Sequence, residues 1–399
     1  MPGGIIFGKV KSCFFELCPF SKLGKRERGG MIQFKKRQRW QGGCLALGLS
    51  MVLGWGFPAQ AAEDKCYKRN YIFNILAEND LWGSGSDKHF THGTRLSFVE
   101  SRKDIEKATS CTQEQREKES GGLDFIRNIF NPLLGEESRM NVDQVSFILG
   151  QNTFTPEDIS NPNLILNDRP YAGWLYFGVG LMHSDIRNEG FAIFDTLEID
   201  LGIVGPEAYA QNVQTWWHAN ISDSPRPAGW DNQLKNEPGL LINLERKLRI
   251  GLTPHDYDGL QVDFLPSVGA ALGNVYTYAS AGGMFRLGVN LPVDYGPPRI
   301  RPGAQGSDFF QYDKKKPVSW YAYAGVEGRA LATNIFLDGN TFTDSYSVDK
   351  KYFVGDLHVG FVLVIYHARL TFSQVFRSSE FNGQKELSEF GSINLSVAW

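Results

Sequence analysis

The chain has 399 residues, 42% hydrophobic and 13% aromatic, with 43 glycines and a formal net charge of −3. That composition belongs to a folded protein and excludes a disordered one. Residues 1–61 hold ten Lys/Arg and two Asp/Glu, which leaves 31 basic and 42 acidic residues, a balance of about −11 that argues against a nucleic-acid partner.

The N-terminus reads as an export signal. Lys35, Lys36, Arg37 and Arg39 follow Met31 as a basic region, and Cys44 to Trp55 is an apolar run too short to span a membrane. Ala59-Gln60-Ala61 is a small-x-small cleavage site, so residues 1–61 are expected to be a leader and Ala62 the first mature residue. Met31 is the expected true start, because residues 1–30 precede a complete signal. Cys13, Cys18 and Cys44 leave with the leader. Cys66 and Cys111 remain, and in an exported chain they are expected to form a disulfide.

Beyond Ala62 the dominant signal is period-two alternation. Leu197, Ile199, Leu201 and Ile203 share one face, opposite Thr196, Glu198, Asp200 and Gly202. Tyr352 to Ile365, Arg369 to Phe376 and Ile393 to the terminal Trp399 repeat the pattern. Twelve strands are expected, near 69–79, 90–100, 143–152, 172–184, 191–204, 239–251, 259–274, 277–291, 318–334, 351–365, 367–378 and 390–399. Strands of that length, apolar on one face and charged on the other, fit a water-soluble sandwich or a membrane barrel. The export signal, the strand length, the aromatic content and the terminal Trp399 favour an all-β fold that is a twelve-stranded antiparallel transmembrane β-barrel, residues 62–399, with a polar interior. Closure is required because an open edge would leave backbone groups unpaired in lipid. Glu245, Lys247, Arg249, Glu327, Arg329 and Asp356 are expected to fill the lumen as ion pairs.

With both termini in the periplasm, the connections 80–90, 153–171, 205–238, 275–276, 335–350 and 379–389 face the cell exterior. Those at 101–142, 185–190, 252–258, 292–317 and 366 face the periplasm, which puts Cys66 and Cys111 in one compartment.

One exterior connection is expected to hold a short helix. Gly205-Pro206 supplies a start signal, and Gln214 and His218, four residues apart, share one face. Val213, Trp216, Trp217 and Ile221 offer apolar area for docking. A glutamine and a histidine so placed could orient and deprotonate a water. The same rim collects Asn79-Asp80 at the end of the first strand, Thr91 across the turn, and Asp168-Arg169 ahead of the fourth strand. Asn79 and Asp80 are hard oxygen donors of the kind calcium takes, and equally good strand-end caps. Arg169 by default pairs with Asp168, or holds a lipid phosphate. Asp223 is a further candidate oxygen ligand. Of seven histidines only His89, His92 and His218 fall at this rim, and the first two lack a helical glutamine partner. There is no G-x-S-x-G elbow and no H-E-x-x-H motif.

The chain resembles the outer-membrane lipid A 3′-O-deacylases over most of its mature length. The resemblance is carried by Ala77-Glu78-Asn79-Asp80, Thr91-x-Gly93, Asn167-Asp168-Arg169-Pro170-Tyr171-Ala172-Gly173, and Gly202 to Pro206 followed by Gln214-x-x-x-His218. It implies a twelve-stranded barrel that uses calcium (Ca2+) and a histidine-activated water to hydrolyse an ester of lipid A in the outer leaflet. By position it implies a site of Asn79, Asp80, Thr91, Gln214 and His218, with Asn79, Thr91, Gln214 and His218 catalytic and Asp80 and Thr91 on the metal; Arg169 is the candidate substrate-binding residue as a rim arginine. The partners implied are lipid A of lipopolysaccharide, outer-membrane lipids and, during biogenesis, the barrel-assembly machinery; the oligomeric state stays open. The second exterior loop, Glu157 to Asn163, departs from the family in lacking lysines. Rival readings are an outer-membrane phospholipase or acyltransferase, and a non-enzymatic barrel such as a porin.

Overall fold

The computed structural model describes residues 67–83, 85, 88–104, 143–188, 190–222, 224–254, 257–300, 302, 307–310 and 315–399. The leader, Ala62, the Cys66–Cys111 pair and Asp223 lie outside them. Twelve strands form: β1 Tyr67–Asn79, β2 His89–Asp104, β3 Gln144–Thr155, β4 Ala172–Asn188, β5 Phe191–Val204, β6 Glu237–Gly251, β7 Leu260–Gly273, β8 Tyr276–Val289, β9 Val318–Asn334, β10 Phe353–Ile365, β11 Ala368–Arg377 and β12 Ser388–Ala398. Each pairs antiparallel with its sequence neighbour, and β1 closes on β12 from Ile72–Ala398 to Asn79–Gly391. The predicted strand count and closure both hold.

The alternation decides which residues face out. Leu201 is 59% exposed on the outer wall, whereas its neighbour Asp200 is 2% exposed in the lumen. Phe177, Leu244, Val268, Phe285, Val326, Phe361 and Phe372 continue the apolar outer wall. Inside, Lys247 pairs with Glu245 at 3.2 Å, Arg249 with Asp263 at 2.9 Å, and Arg329 with Glu327 and Asp356 at 2.6 and 2.7 Å. Charges enclosed in a barrel are tolerated because they are paired and hydrogen-bonded.

The β8–β9 connection corrects an expectation. Residues 292–317 are expected as a connection facing the periplasm. Its described residues 292–300, 302 and 307–310 instead fold back into the lumen. Asp294 meets Arg286 of β8 and Arg369 of β11, and Asp308 accepts from Arg95 of β2 at 2.6 Å. The Ile300 amide reaches Glu78 of β1 at 3.3 Å, and Arg377 of β11 donates to the Pro302 carbonyl at 2.7 Å. Side chains from opposite sides of the barrel converge on one strap, which supplies the counter-charges that the wall alone lacks. A lumen so filled is expected to be electrically silent. Purified protein in a planar bilayer should show no stepwise ion conductance, and sustained steps would contradict the plug.

Candidate active site

The rim bearing the long loops carries the predicted residues. After β5 the chain turns at Gly205, whose φ of 105° suits glycine and where a Cβ would lie 2.6 Å from the Lys235 carbonyl carbon. A short turn, Pro206–Ala208, precedes helix α1, Ala210–Asn220, so the helix starts four residues later than the proline suggests. Helix α1 lies against β3 and β4. Its buried face is Ala210, Gln214 and His218, at helical spacing. Trp216 and Ile221, expected to dock the helix, point away and are exposed. Trp216 lies two positions from either polar residue, roughly 200° around the axis, so it cannot share their face.

On the wall, a β-bulge does the placing. Phe90 pairs with Phe154 and His92 with Thr153, which leaves Thr91 as an extra residue on β2. Two successive strand residues normally point to opposite faces; the bulge lets Thr91 and His92 serve one site. His89, at φ 70°, begins this distortion and packs edge-on against Phe381, away from the site. Asn79 ends β1 directly opposite His92.

Asn79, Thr91, His92, Thr153, Val213, Gln214, Trp217 and His218 enclose a cavity of about 20 Å³ between wall and helix, enough for a water molecule. Strand alternation puts Glu78 in the lumen and Asn79 on the outer face, so this cavity lies outside the barrel wall. Four predicted site residues, Asn79, Thr91, Gln214 and His218, therefore meet here, joined by His92, Val213 and Trp217, for which the sequence suggested other roles, and by Thr153, which it did not single out.

The hydrogen bonds fix what each group can do. His218 Nδ1 lies 2.7 Å from the Pro225 carbonyl. A carbonyl only accepts, so Nδ1 carries the hydrogen and the neutral imidazole keeps its lone pair on Nε2. Trp230 Nε1 donates to Gln214 Oε1 at 2.9 Å. Indole N–H is donor-only, so the amide orientation is set and Gln214 presents Nε2 as a donor, a buried atom with no partner among the described residues. Asn79 Oδ1 accepts from the Leu81 amide at 2.9 Å, and Asp80 Oδ2 accepts from the Lys88 amide at 2.5 Å. Thr91 and Thr155 share a hydroxyl bond of 2.6 Å.

These donors suit a hard cation. Asn79 and Thr91 line the cavity and Asp80 is buried in the turn next to Asn79, outside the lining; the Asn79 amide, the Asp80 carboxylate and the Thr91 hydroxyl are oxygens of the mixed kind calcium accepts. Among the described residues no cluster of three or more His, Cys, Asp or Glu stands ready for a metal, so a transition-metal site of that type is not built here.

A family model described as outer membrane protein LpxR matches residues 44–399. The chain belongs to the LpxR family of outer membrane proteins. The solved structure of LpxR from Salmonella typhimurium superposes with a TM-score of 0.60 at 20% identity, covering 82% of this chain and 99% of that one, which supports the fold. The β domain of the Bordetella autotransporter BrkA (TM-score 0.38, 8% identity, 84% and 100% covered) and the KdgM porin (0.32, 7%, 82% and 98%) are more distant barrels. No curated protein sequence matches.

The remaining family motif, Asn167 to Gly173, builds the support of the site. Tyr171 donates to the Ile159 carbonyl at 3.0 Å and packs on Trp230, ring centroids 4.8 Å apart. Trp230 in turn holds Gln214. Asp168 accepts the amides of Glu157 and of Arg169, both at 2.7 Å, and burial pushes its carboxyl above the ordinary range against the pull of those amides. Arg169 does not pair with the Asp168 side chain. It is 1% exposed, bonded to Glu380 at 3.2 Å and stacked between Phe154 and Phe381, outside the cavity lining. A partner 211 residues away leaves no local signal. His92 and Thr153 face the cavity by ordinary alternation opposite Asn79 and on β3, with nothing local to mark them as part of a site, whereas Trp217, three residues after Gln214, lies within reach of the helical spacing.

Close approach at Gly173 seats the helix: a Cβ there would lie 2.7 Å from the Ala210 Cβ and 3.0 Å from the Ala208 Cβ. Gly173→Val is expected to lift the start of α1 while leaving the barrel closed. Chymotryptic cleavage within residues 209–217 should speed up severalfold, and an unchanged cleavage rate would contradict this seating.

Proposed function

We propose that this protein is a calcium-dependent hydrolase that removes an ester-linked acyl chain, the 3′-acyloxyacyl chain, from lipid A of lipopolysaccharide in the outer leaflet, with the long-loop rim facing the cell exterior. The observation that carries the reading is His218 held with Nδ1–H on Pro225, in a cavity shared with Gln214 and the Asn79 edge on the outer side of the wall. A site outside the wall can take an ester from a lipid that never leaves the membrane. Membership of the LpxR family supports the same assignment.

In this mechanism His218 Nε2 accepts a proton as water attacks the ester carbonyl carbon. The Pro225 carbonyl keeps the imidazole in the required tautomer, and its Nδ1–H bond strengthens as positive charge develops on the ring. Gln214 Nε2 donates to the carbonyl oxygen as it turns into an oxyanion. The C–O ester bond then breaks, and the proton returns from His218 to the departing alkoxide. Asp80 with Thr91 would hold calcium, which when bound supplies Lewis-acid polarisation of the ester carbonyl. Asn79, whose carbonyl caps the turn that follows it, keeps Asp80 in place. Arg169 contributes by tying the loop before β4 to Glu380.

A serine-dependent phospholipase or acyltransferase fits less well, because no serine lines the cavity. A porin fits poorly with the strapped lumen.

His218→Ala is expected to lower lipid A deacylation by roughly a hundredfold or more. Asp80→Ala should do comparable damage that raised calcium partly reverses. Folding is checked by heat-modifiability on gels, and products by mass. A folded His218→Ala variant with near-normal turnover would end this mechanism.

A further inference from the structure

The base and the metal donors do not use every polar group in the cavity. Trp217 lines it one residue before His218 and three after Gln214, on the same side of α1. Its Nε1–H is buried and has no hydrogen-bond partner among the described residues. Two of the donors at this cavity, Gln214 Nε2 and Trp217 Nε1, share that condition. A native structure rarely buries a strong donor without a partner, and where it does a catalytic role is one of the few explanations. The indole is also held in place. The His92 ring packs against it at 6.1 Å between centroids. His92 in turn is fixed by Thr94 Oγ1 at 2.7 Å from Nε2, and by the Asn79 amide at 3.5 Å from Nδ1. Asn79 Oδ1 is committed to the Leu81 amide, so the amide nitrogen faces His92. That leaves His92 Nδ1 as acceptor and Nε2–H as donor to Thr94. An indole braced from the wall in this way keeps its N–H at a constant position, as a preorganised donor requires.

We propose that Trp217 is a catalytic residue whose Nε1–H, beside Gln214 Nε2–H, donates a hydrogen bond to the ester carbonyl oxygen as negative charge develops on it. This rests on the hydrolase reading above. It assigns the helix three chemical groups in five residues: two donors for the oxyanion and one base for the water. No bond to Trp217 forms or breaks; the oxygen gains charge as water adds to the carbonyl carbon and loses it when the alkoxide leaves. His92 acts as the positioning residue that keeps the indole at its place.

The test compares Trp217→Phe, Trp217→Leu and His218→Ala with the unaltered protein, each confirmed as a closed barrel by heat-modifiability, with deacylation followed by product mass. Phenylalanine keeps an aromatic ring against His92 while removing the donor together with one ring of the indole, and Trp217→Leu reports the loss of the ring as well. Trp217→Phe is expected to lower kcat by about a hundredfold, the usual effect of losing one oxyanion donor, with KM within a factor of about two. Trp217→Leu should fall equally far. If the ring matters only for packing, Trp217→Phe will turn over normally while Trp217→Leu will not, and the proposal is overturned. If His218→Ala is inactive and Trp217→Phe is normal, this inference alone falls. If His218→Ala itself retains turnover, the hydrolase reading falls first. A second measurement needs no variant that folds. In protein with 15N-labelled indoles, binding of a phosphonate analogue of the acyloxyacyl ester should move one indole N–H resonance downfield. The absence of any such shift at saturating analogue would also overturn the assignment.

Discussion

In hydrocarbon a backbone N–H or C=O finds no water, so a sheet that crosses a membrane must return to its own first strand. Here β1 does so against β12, with register running from Ile72–Ala398 to Asn79–Gly391. The same register decides the chemistry. It ends β1 at Asn79, opposite His92, and sets Asp80 into the turn beside the bulged Thr91. A one-residue slip would send Asn79 into the lumen and Glu78 to the outer wall. The site is therefore built on the rigid end of a closed sheet, and only its helical half is carried by a loop.

Closure creates a second demand. Alternating strands point half their side chains inward, and those include Arg95, Arg286, Arg329, Arg369 and Arg377, all buried. Breaking one partner from such a pair costs about 3–5 kcal/mol, so the carboxylates must be delivered accurately. The wall supplies Asp263, Glu327 and Asp356; the strap between β8 and β9 supplies Asp294 and Asp308. The strap also reaches toward the rim. Its Ile300 amide bonds Glu78, and the Ile300 side chain lies where a Cβ on Gly93 would fall, at 2.6 Å. The filled lumen thus packs directly behind Asn79 and Thr91, on the far side of the wall from the cavity.

The sequence reveals the strands because period two is a local property: Leu197 to Ile203 shows its outer face without reference to anything else. It reveals Gln214 and His218 for the same reason, through spacing on one helix. Asn79, Asp80 and Thr91 stand out only by chemistry and by resemblance to a known family. What it conceals depends on long-range contacts. The strap is aperiodic, and its anchors lie on β1, β2, β8 and β11. Arg169 looks like the partner of its neighbour Asp168 but bonds Glu380, at the other end of the chain. The bulge between Phe90 and His92 has no glycine or proline to announce it, so nothing in the sequence shows that Thr91 joins His92 on the outer face. Trp216 and Ile221 look like docking residues by hydrophobicity alone; helix geometry turns them away from the wall.

The central claim is that one cavity, enclosed between the outer face of β1–β3 and helix α1, binds the ester of a membrane lipid. An experimental structure of the barrel with calcium and a non-hydrolysable analogue of the lipid A ester tests it most directly. The ester carbonyl is expected between the Asn79–Asp80 edge and the Gln214–His218 face of α1, with the acyl chains running along the outer wall. Lipid bound in the lumen, or on the wall remote from α1, would contradict it.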